Sequence, residues 1–489
     1  MILLRRVDPS TDGSSRLHSK VQHYLSRVIE LHVGPESRIL TPESCLLNEV
    51  LIIGGGFSGL AAGVALAESG RSVRLLERNP HLGGRARSFL DPATGSVVDN
   101  GQHILMGCYH ETLRFLSTIG TLDRVRFQPH LTVHFLDRNR RLTVLRCPGL
   151  PSPWHVLVGV LRSGSFSLRE KLEVLRLGGL LRWRKTPESG SDKLSVREWL
   201  TRLGQSGRLQ RNFWDLLCIA ALNEDPSVAS AALFKRVLRL ALFTSPEDSR
   251  IGIPSVGLSD VYTDAATAYI RARGGQVECS RGVASLLVSE GRCRGVRLLS
   301  GGVIEAESVL SAVPSFQLAP LLPGELLRGE PFFAPVVALR PAPIISINLW
   351  FDRAITDLDF VGLRGATVQW LFNKSRILGS DENCVSLVLS GAHRHIGRSK
   401  EDLLATALLD LGGLFPEARK AKLLHWLIIK ERFATFSPTW EAEQVRPTAR
   451  TPVRGLYLAG DWTATGLPAT IESAVRSGYT AAEAILDDC

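Results

Sequence analysis

Three observations predict an α/β fold, α+β overall, for this 489-residue chain. The apolar run Val50-Leu51-Ile52-Ile53 leads straight into GGGFSG at 54–59, a second short strand pattern ends on an acid, Glu77, and a closing strand, GLYLAGD at 455–461, precedes a helical pattern from about Ile471. The first two form a βαβ unit of about 30 residues. The predicted architecture is a Rossmann-type nucleotide-binding domain interleaved with a mixed-sheet and helical substrate domain.

The elements follow in order. Residues 1–47, opening MILLRRVDPSTDGSS, do not share the pattern of the rest. They read as an untethered extension or the product of a misplaced start codon, with a targeting peptide as the alternative; an apolar core and cleavage site for the latter are missing. From Asn48 the strand, glycine turn, Ala-rich helix to about Glu68 and Ser-Gly stop succeed one another. A helical middle rich in Leu and Arg is expected from Tyr109 to Leu242. Strand hairpins are expected after Gly274, with turns at Glu290-Gly291 and at Ser300-Gly301-Gly302. A mixed segment from Pro314 to Arg446 precedes the closing strand and helix.

Composition bounds the partners. Hydrophobic residues make up 44% and charged residues 22%, as in folded soluble proteins. Lys and Arg exceed Asp and Glu by 58 to 48, a net charge of +10, which suits an anionic membrane face or simple solubility. No basic block interleaved with aromatics occurs, which argues against nucleic acid. The eight cysteines are scattered, with no CxxC pair and no metal spacing, so reduced thiols, a cytoplasmic location and no metal site are expected. No run of about 18 apolar residues is present to span a bilayer.

GxGxxG alone is weak, but here the string follows a strand, opens a helix and has an acid about 20 residues on. Gly54 makes the tight turn, Gly56 admits a pyrophosphate to the backbone, and Gly59 packs the helix closely. The helix N-terminus supplies unpaired N–H groups, Ser58 a hydroxyl, and Glu77 an acceptor for a ribose diol that would repel a 2′-phosphate. Beyond Glu77 and Arg78, Gly83-Gly84-Arg85 offers backbone approach and a bidentate arginine.

Together with LYLAGDWTATGLPATIESAVRSGYTAAEAI at the C-terminus, these strings resemble the two-part FAD signature of the amine oxidase and phytoene desaturase superfamily. The resemblance implies an amine-oxidase-like fold with FAD as cofactor, Gly460 and Asp461 at the ribityl and phosphate region, Thr470 and Ile471 at the flavin N1–O2 edge, Val283 at adenine and Gln102 along the flavin. It implies an FAD-binding domain in three parts, 48–108, 255–315 and 451–489, with 109–254 a helical, substrate- or membrane-facing region and 316–450 the substrate domain. VDNGQHILMGCYHETLRFLSTIG (98–120), FWDLLCIAALNEDPSVASAALFKRVL (213–238) and AGDWTATGLPATIESAVRSG (459–478) are similar to one branch, the hydroxysqualene dehydroxylases. That branch typically has proline where this chain has Leu216. What the branch implies is reductive dehydroxylation of hydroxysqualene to squalene in squalene and hopanoid biosynthesis, by hydride from reduced flavin.

Such chemistry needs a proton donor, a dry pocket and faces that stabilise a passing allylic cation. His103 is the expected acid or water-orienting group, with Asp99 setting its state; the alternative is a structural histidine and a turn-capping aspartate. Tyr109, Phe213, Trp214 and Asn223 are expected in the substrate wall, with plain core packing as the alternative. WHVLVGVLRSGSFSLREKLEVLRLGGLLRWRK (154–185) reads either as a basic amphipathic surface for peripheral docking at the inner face of the cytoplasmic membrane, or as a core-facing helix pair. With one dinucleotide fingerprint in the chain, the flavin is expected to be reduced by an external electron donor. The sequence leaves the oligomeric state open. Two other functions share these motifs: a carotenoid-type desaturase or amine oxidase, and a non-catalytic prenyl-binding protein similar to the GDP-dissociation inhibitors.

Overall fold

Val50, Leu51, Ile52 and Ile53 are all buried, as a strand covered on both faces requires. The strand Glu49–Ile53 is central in a five-stranded parallel sheet, in the order Gln276–Glu278, Ser72–Leu76, Glu49–Ile53, Ser308–Ser311, Leu456–Leu458. Its strands come from three distant stretches of chain. The computed structural model describes residues 49–183 and 193–488. The extension expected at 1–47 lies outside the described residues, as do Arg184 and Lys185.

Alternation divides the central strand between two cores. Val50 and Ile52 pack with Phe57, Leu60, Tyr262 and Val475; Leu51 and Ile53 pack with Val296, Val309 and Trp462. On the first face the helix Phe57–Glu68 lies against the helices Leu258–Arg271 and Ile471–Asp487. The approach is close enough that a Cβ on Gly478 would stand 2.3 Å from the Ser58 carbonyl oxygen. On the second face sits the antiparallel sheet Val283–Ser289, Arg292–Leu298, Val303–Glu305. Its first turn falls at Glu290 and Gly291, both at positive φ, as tight hairpins require.

A second, mixed sheet has seven strands in the order Leu423–Phe436, Pro341–Phe351, Asn383–Leu389, Trp370–Asn373, Phe360–Arg364, Thr132–Asp137, Leu142–Arg146. The last two correct the expected helical middle: residues 132–146 form a hairpin, and from Trp154 the described chain is mainly helical up to Phe243. Leu142–Arg146 alternates exposed and buried residues strictly, a period-2 signal overshadowed by the Leu- and Arg-rich helices that follow. Those helices cover one face of the sheet, where Phe135, Phe360 and Val388 meet Val160, Phe213 and Phe234. The helix Lys400–Leu414 covers the other through Leu403, Ala407 and Leu411. Among the described residues no helix is long and apolar enough to cross a membrane.

Candidate active site

The C-terminal ends of the parallel strands open onto one cavity of about 1440 Å³, where open α/β sheets bind their ligands. Gly54, Gly56, Ser58, Glu77, Arg78, Gly84, Arg85, Gln102, His103, Val283, Gly460, Asp461, Thr470 and Ile471 all line it, as do Tyr109, Phe213, Trp214 and Asn223. Gly59 and Asp99 stand behind the wall.

The glycine loop is built for a ligand. Gly54 has φ +107°, and a Cβ on Gly59 would lie 2.0 Å from the Gly54 carbonyl oxygen, so the helix can start this close to the strand only with glycine. Gly56 precedes the helix Phe57–Glu68 and makes no side-chain cap. A Cβ there would meet nothing within 4 Å, with Gly84 across the gap. Uncapped N–H groups at a helix start facing open space fit a pyrophosphate. Glu77, buried at the strand end, is fixed: Oε2 accepts from Gly55 N at 2.9 Å, and Oε1 from Asn79 N at 2.9 Å and Nδ2 at 2.7 Å. Its remaining lone pairs fit a ribose diol. The Ser58 hydroxyl, 3.3 Å from that of Ser477, belongs to the packing of the two helices.

Arg85 fastens three segments. Its guanidinium donates to Asp461 Oδ1 at 2.7 Å and to the Ala434 carbonyl at 2.8 Å. Burial, the largest single influence, would lower its pKa, but the Asp461 charge and hydrogen bond together with the Glu431 charge raise it. The arginine is thus committed to Asp461 instead of being held free for a phosphate. Thr470 caps the final helix by accepting from Ser473 N at 3.1 Å, leaving the first N–H groups of that helix at the cavity wall. A positive helix end there suits the electron-rich edge of a reduced flavin. The Glu472 carboxylate beside it is taken by Thr112 N and Oγ1 at 2.9 and 2.8 Å. Burial holds the Tyr109 phenol above its ordinary range, so it is neutral. These residues fit FAD.

Asp99 and His103 do not bond to each other. Asp99 Oδ2 pairs with Lys374 Nζ at 2.7 Å, and Oδ1 accepts from Ser88 Oγ at 2.7 Å and Leu258 N at 3.0 Å. Burial would raise its carboxyl, but Lys374 and these donors hold it below the usual carboxylate range. Lys374 also donates to Gln102 Oε1 at 3.0 Å. His103 Nδ1 lies 2.6 Å from the Gly101 carbonyl, so in the neutral ring that nitrogen carries the proton and Nε2 is an acceptor. Burial pushes its pKa down, favouring the neutral ring. Sequence reasoning missed Lys374, which lies behind the wall on Asp99 and Gln102, and the wall residue Glu431: a lysine after a short apolar strand and a glutamate in a long one carry no local signal.

Beyond His103 the cavity becomes apolar, lined by Val133, Phe135, Leu177, Phe213, Trp214 and Phe234 among others. A π-helical turn at Gln210–Trp214 puts two successive aromatics on the wall, a distortion found mostly at functional sites. Trp214 Nε1 donates to Gln205 Oε1 at 2.9 Å, so its polar edge is already satisfied. Asn223, at φ 54°, donates to Thr435 Oγ1 and the Ala342 carbonyl at 2.9 and 3.1 Å and accepts from Gly391 N at 2.7 Å. Its amide ties a helix end to the sheet and offers a ligand little. Trp154 lines the cavity and is 58% exposed; on the helix Leu168–Trp183, whose Val174, Leu175 and Leu177 also line the cavity, Leu168 and Leu172, one turn apart, are 81% and 70% exposed. Arg162, Arg169, Arg176 and Arg182 are exposed on the same two helices, while Glu170 is buried.

The model of one protein family, flavin-containing amine oxidoreductase, matches residues 57–486. The chain is 33% identical over 448 residues to a hydroxysqualene dehydroxylase of Rhodopseudomonas palustris, covering 89% of this chain and 98% of that protein. It is 26% identical over 466 residues to a 15-cis-phytoene desaturase of Synechococcus elongatus, covering 89% and 95%. An oxidoreductase structure from Methanosarcina mazei superposes with TM-score 0.70 at 17% identity, covering 90% and 100%, a likeness of fold. With the glycine loop, the fixed Glu77 and the two helix starts around one cavity, these matches establish that the chain belongs to the flavin-containing amine oxidoreductase family and is an FAD-dependent oxidoreductase.

Proposed function

We propose that this enzyme reduces hydroxysqualene to squalene, taking a long-chain isoprenoid as substrate and an external electron donor for its flavin, within squalene and hopanoid biosynthesis. The observation that carries the reading is the continuity of the cavity: a polar cradle for FAD runs into an apolar arm within about 1440 Å³, above the roughly 1,000 Å³ upper end for one drug-sized ligand. The similarity to hydroxysqualene dehydroxylases supports hydroxysqualene as that substrate.

Bound FAD supplies the two-electron, hydride-transferring chemistry. The chain's own residues do the rest. Gly54, Gly56 and Gly59 shape the phosphate cradle, Glu77 and Val283 hold the adenosine end, and Gly460, Asp461, Thr470 and Ile471 hold the ribityl and pyrimidine end. The arm excludes water, which strengthens every charge interaction inside it, and Phe213 and Trp214 present faces that tolerate positive charge on a hydrocarbon. His103 Nε2, an acceptor, orients the substrate hydroxyl or a water, and Asp99 acts on it only through space. The exposed leucines and arginines of the helices Trp154–Arg162 and Leu168–Trp183 dock on the anionic inner face of the cytoplasmic membrane, from which the substrate enters.

A second reading, desaturation of a carotenoid-type isoprenoid, is favoured by the similarity to 15-cis-phytoene desaturases. Anaerobic incubation of the chemically reduced protein with hydroxysqualene, followed by extraction of the lipids, tests the first reading. Squalene is the expected product. Its absence, with oxidised protein desaturating phytoene, replaces the first reading with the second.

A further inference from the structure

Breaking a C–O bond with loss of water requires an acid, and the neutral His103, whose Nδ1–H donates to the Gly101 carbonyl, is placed to accept at Nε2. The carboxyls on the cavity wall are Glu77, Glu431, Asp461 and Glu472. Three are committed. Glu77 is held by Gly55 and Asn79, Asp461 pairs with Arg85 at 2.7 Å, and Glu472 serves Thr112 and lies 3.5 Å from Arg476.

Glu431 differs. Its Oε1 accepts from Phe433 N at 3.3 Å and its Oε2 from Asn100 Nδ2 at 3.4 Å, both near the long limit for a hydrogen bond. Asn100 also donates to the Arg85 carbonyl at 3.1 Å and directly precedes Gly101, Gln102 and His103 on the wall. Three residues further along the strand, Ala434 is fastened to Arg85. The carboxyl thus stands where the cofactor cradle meets the apolar arm, beside the stacked pair Phe316 and Phe433, 4.4 Å apart. The charged group near it is Arg85, whose guanidinium is shared with Asp461; Arg432, next in the strand, falls on the opposite face. A hydrocarbon filling the arm displaces water from its wall, and a dry wall disfavours unpaired charge.

We propose that Glu431 is the catalytic proton donor to the departing hydroxyl, an inference that rests on the dehydroxylation reading. The Glu431 acid gives its proton to the hydroxyl oxygen, the C–O bond breaks with both its electrons going to oxygen, and water leaves. The carbon receives a hydrogen with two electrons from the reduced flavin, which ends oxidised and is reduced again by the external donor. Glu431 ends as a carboxylate and recovers a proton from solvent.

The test uses the FAD-loaded protein and Glu431→Gln, which keeps the side-chain shape and the bond from Asn100 but has no acidic proton. Two quantities are measured: proton uptake when squalene binds, by calorimetry at neutral pH in buffers of different ionisation enthalpy, and single-turnover conversion of hydroxysqualene. The wild type is expected to take up about one proton on binding squalene. The variant binds squalene without that uptake and turns over roughly 10²- to 10⁴-fold more slowly. Equal proton uptake in the two proteins, or turnover within roughly threefold, overturns the assignment. If Glu431→Gln loses FAD, Glu431→Asp carries the test: slowed turnover with retained uptake supports the donor, and unchanged turnover overturns it. A wild type that makes no squalene overturns the dehydroxylation reading itself, whatever the proton count.

Discussion

The Lys374 ammonium lies 2.7 Å from Asp99 Oδ2 and 3.0 Å from Gln102 Oε1, with lysine and aspartate both buried. The pair joins the second sheet to the chain segment that supplies the cavity wall. Removing one member leaves an uncompensated buried charge, so Asp99→Asn is expected to destabilise by about 3–5 kcal/mol, measured by urea unfolding. Because the folded carboxyl is held below its unfolded value of about 3.9, its contribution is present above that value and is lost as pH falls through the lowered folded pKa. The Asp99→Asn variant therefore loses less stability on acidification than the wild type.

Gly56 separates fold from binding. With nothing within 4 Å of a Cβ at this position and a φ of −86°, Gly56→Ala keeps the apoprotein's melting temperature. The methyl group intrudes where the pyrophosphate approaches, so FAD affinity falls roughly tenfold or more. Melting curves of apoprotein and flavin fluorescence titration measure the two. Gly59→Ala, whose methyl would strike the Gly54 carbonyl, damages both.

Arg85→Lys tests the clamp. A lysine reaches one partner as a point charge but cannot hold Asp461 and the Ala434 carbonyl in a fork. FAD is retained less tightly, while Glu77 and its partners at the adenosine end are untouched. Gel filtration followed by the ratio of flavin to protein absorbance measures the loss.

The exposed start of the helix Leu168–Trp183 gives a membrane prediction. Leu168→Glu with Leu172→Glu leaves folding unchanged, since both side chains already face solvent. It is expected to abolish flotation with anionic vesicles, and raised salt weakens binding of the wild type. Wild-type protein that never floats removes the docking proposal.

The cofactor end was legible in the sequence because its signals are local: a strand into GGGFSG, an acid at the next strand end, AGD before a capped helix. The interleaving was legible only through the family resemblance that the two ends of the chain carry together. What was not legible depends on contacts that only folding makes. Asp99 and Lys374 are 275 residues apart, and nothing beside either residue predicts the other. Asn223 reads as a polar residue available to a ligand until the folded chain brings Thr435, Ala342 and Gly391 to its amide. The strands at 132–146 were masked because their partner, Phe360–Arg364, comes more than 200 residues later, and the adjoining sequence is helical in pattern.

The proposed reaction requires one cavity to bring an isoprenoid alcohol to a reduced flavin. Its most direct test is an anaerobic single turnover: protein reduced chemically to its hydroquinone form is mixed with hydroxysqualene, and flavin reoxidation is followed by absorbance while squalene is quantified in the extract. The account predicts that yellow colour returns with one squalene formed per flavin oxidised. Flavin that stays reduced in the presence of bound hydroxysqualene, with no squalene formed, would contradict it.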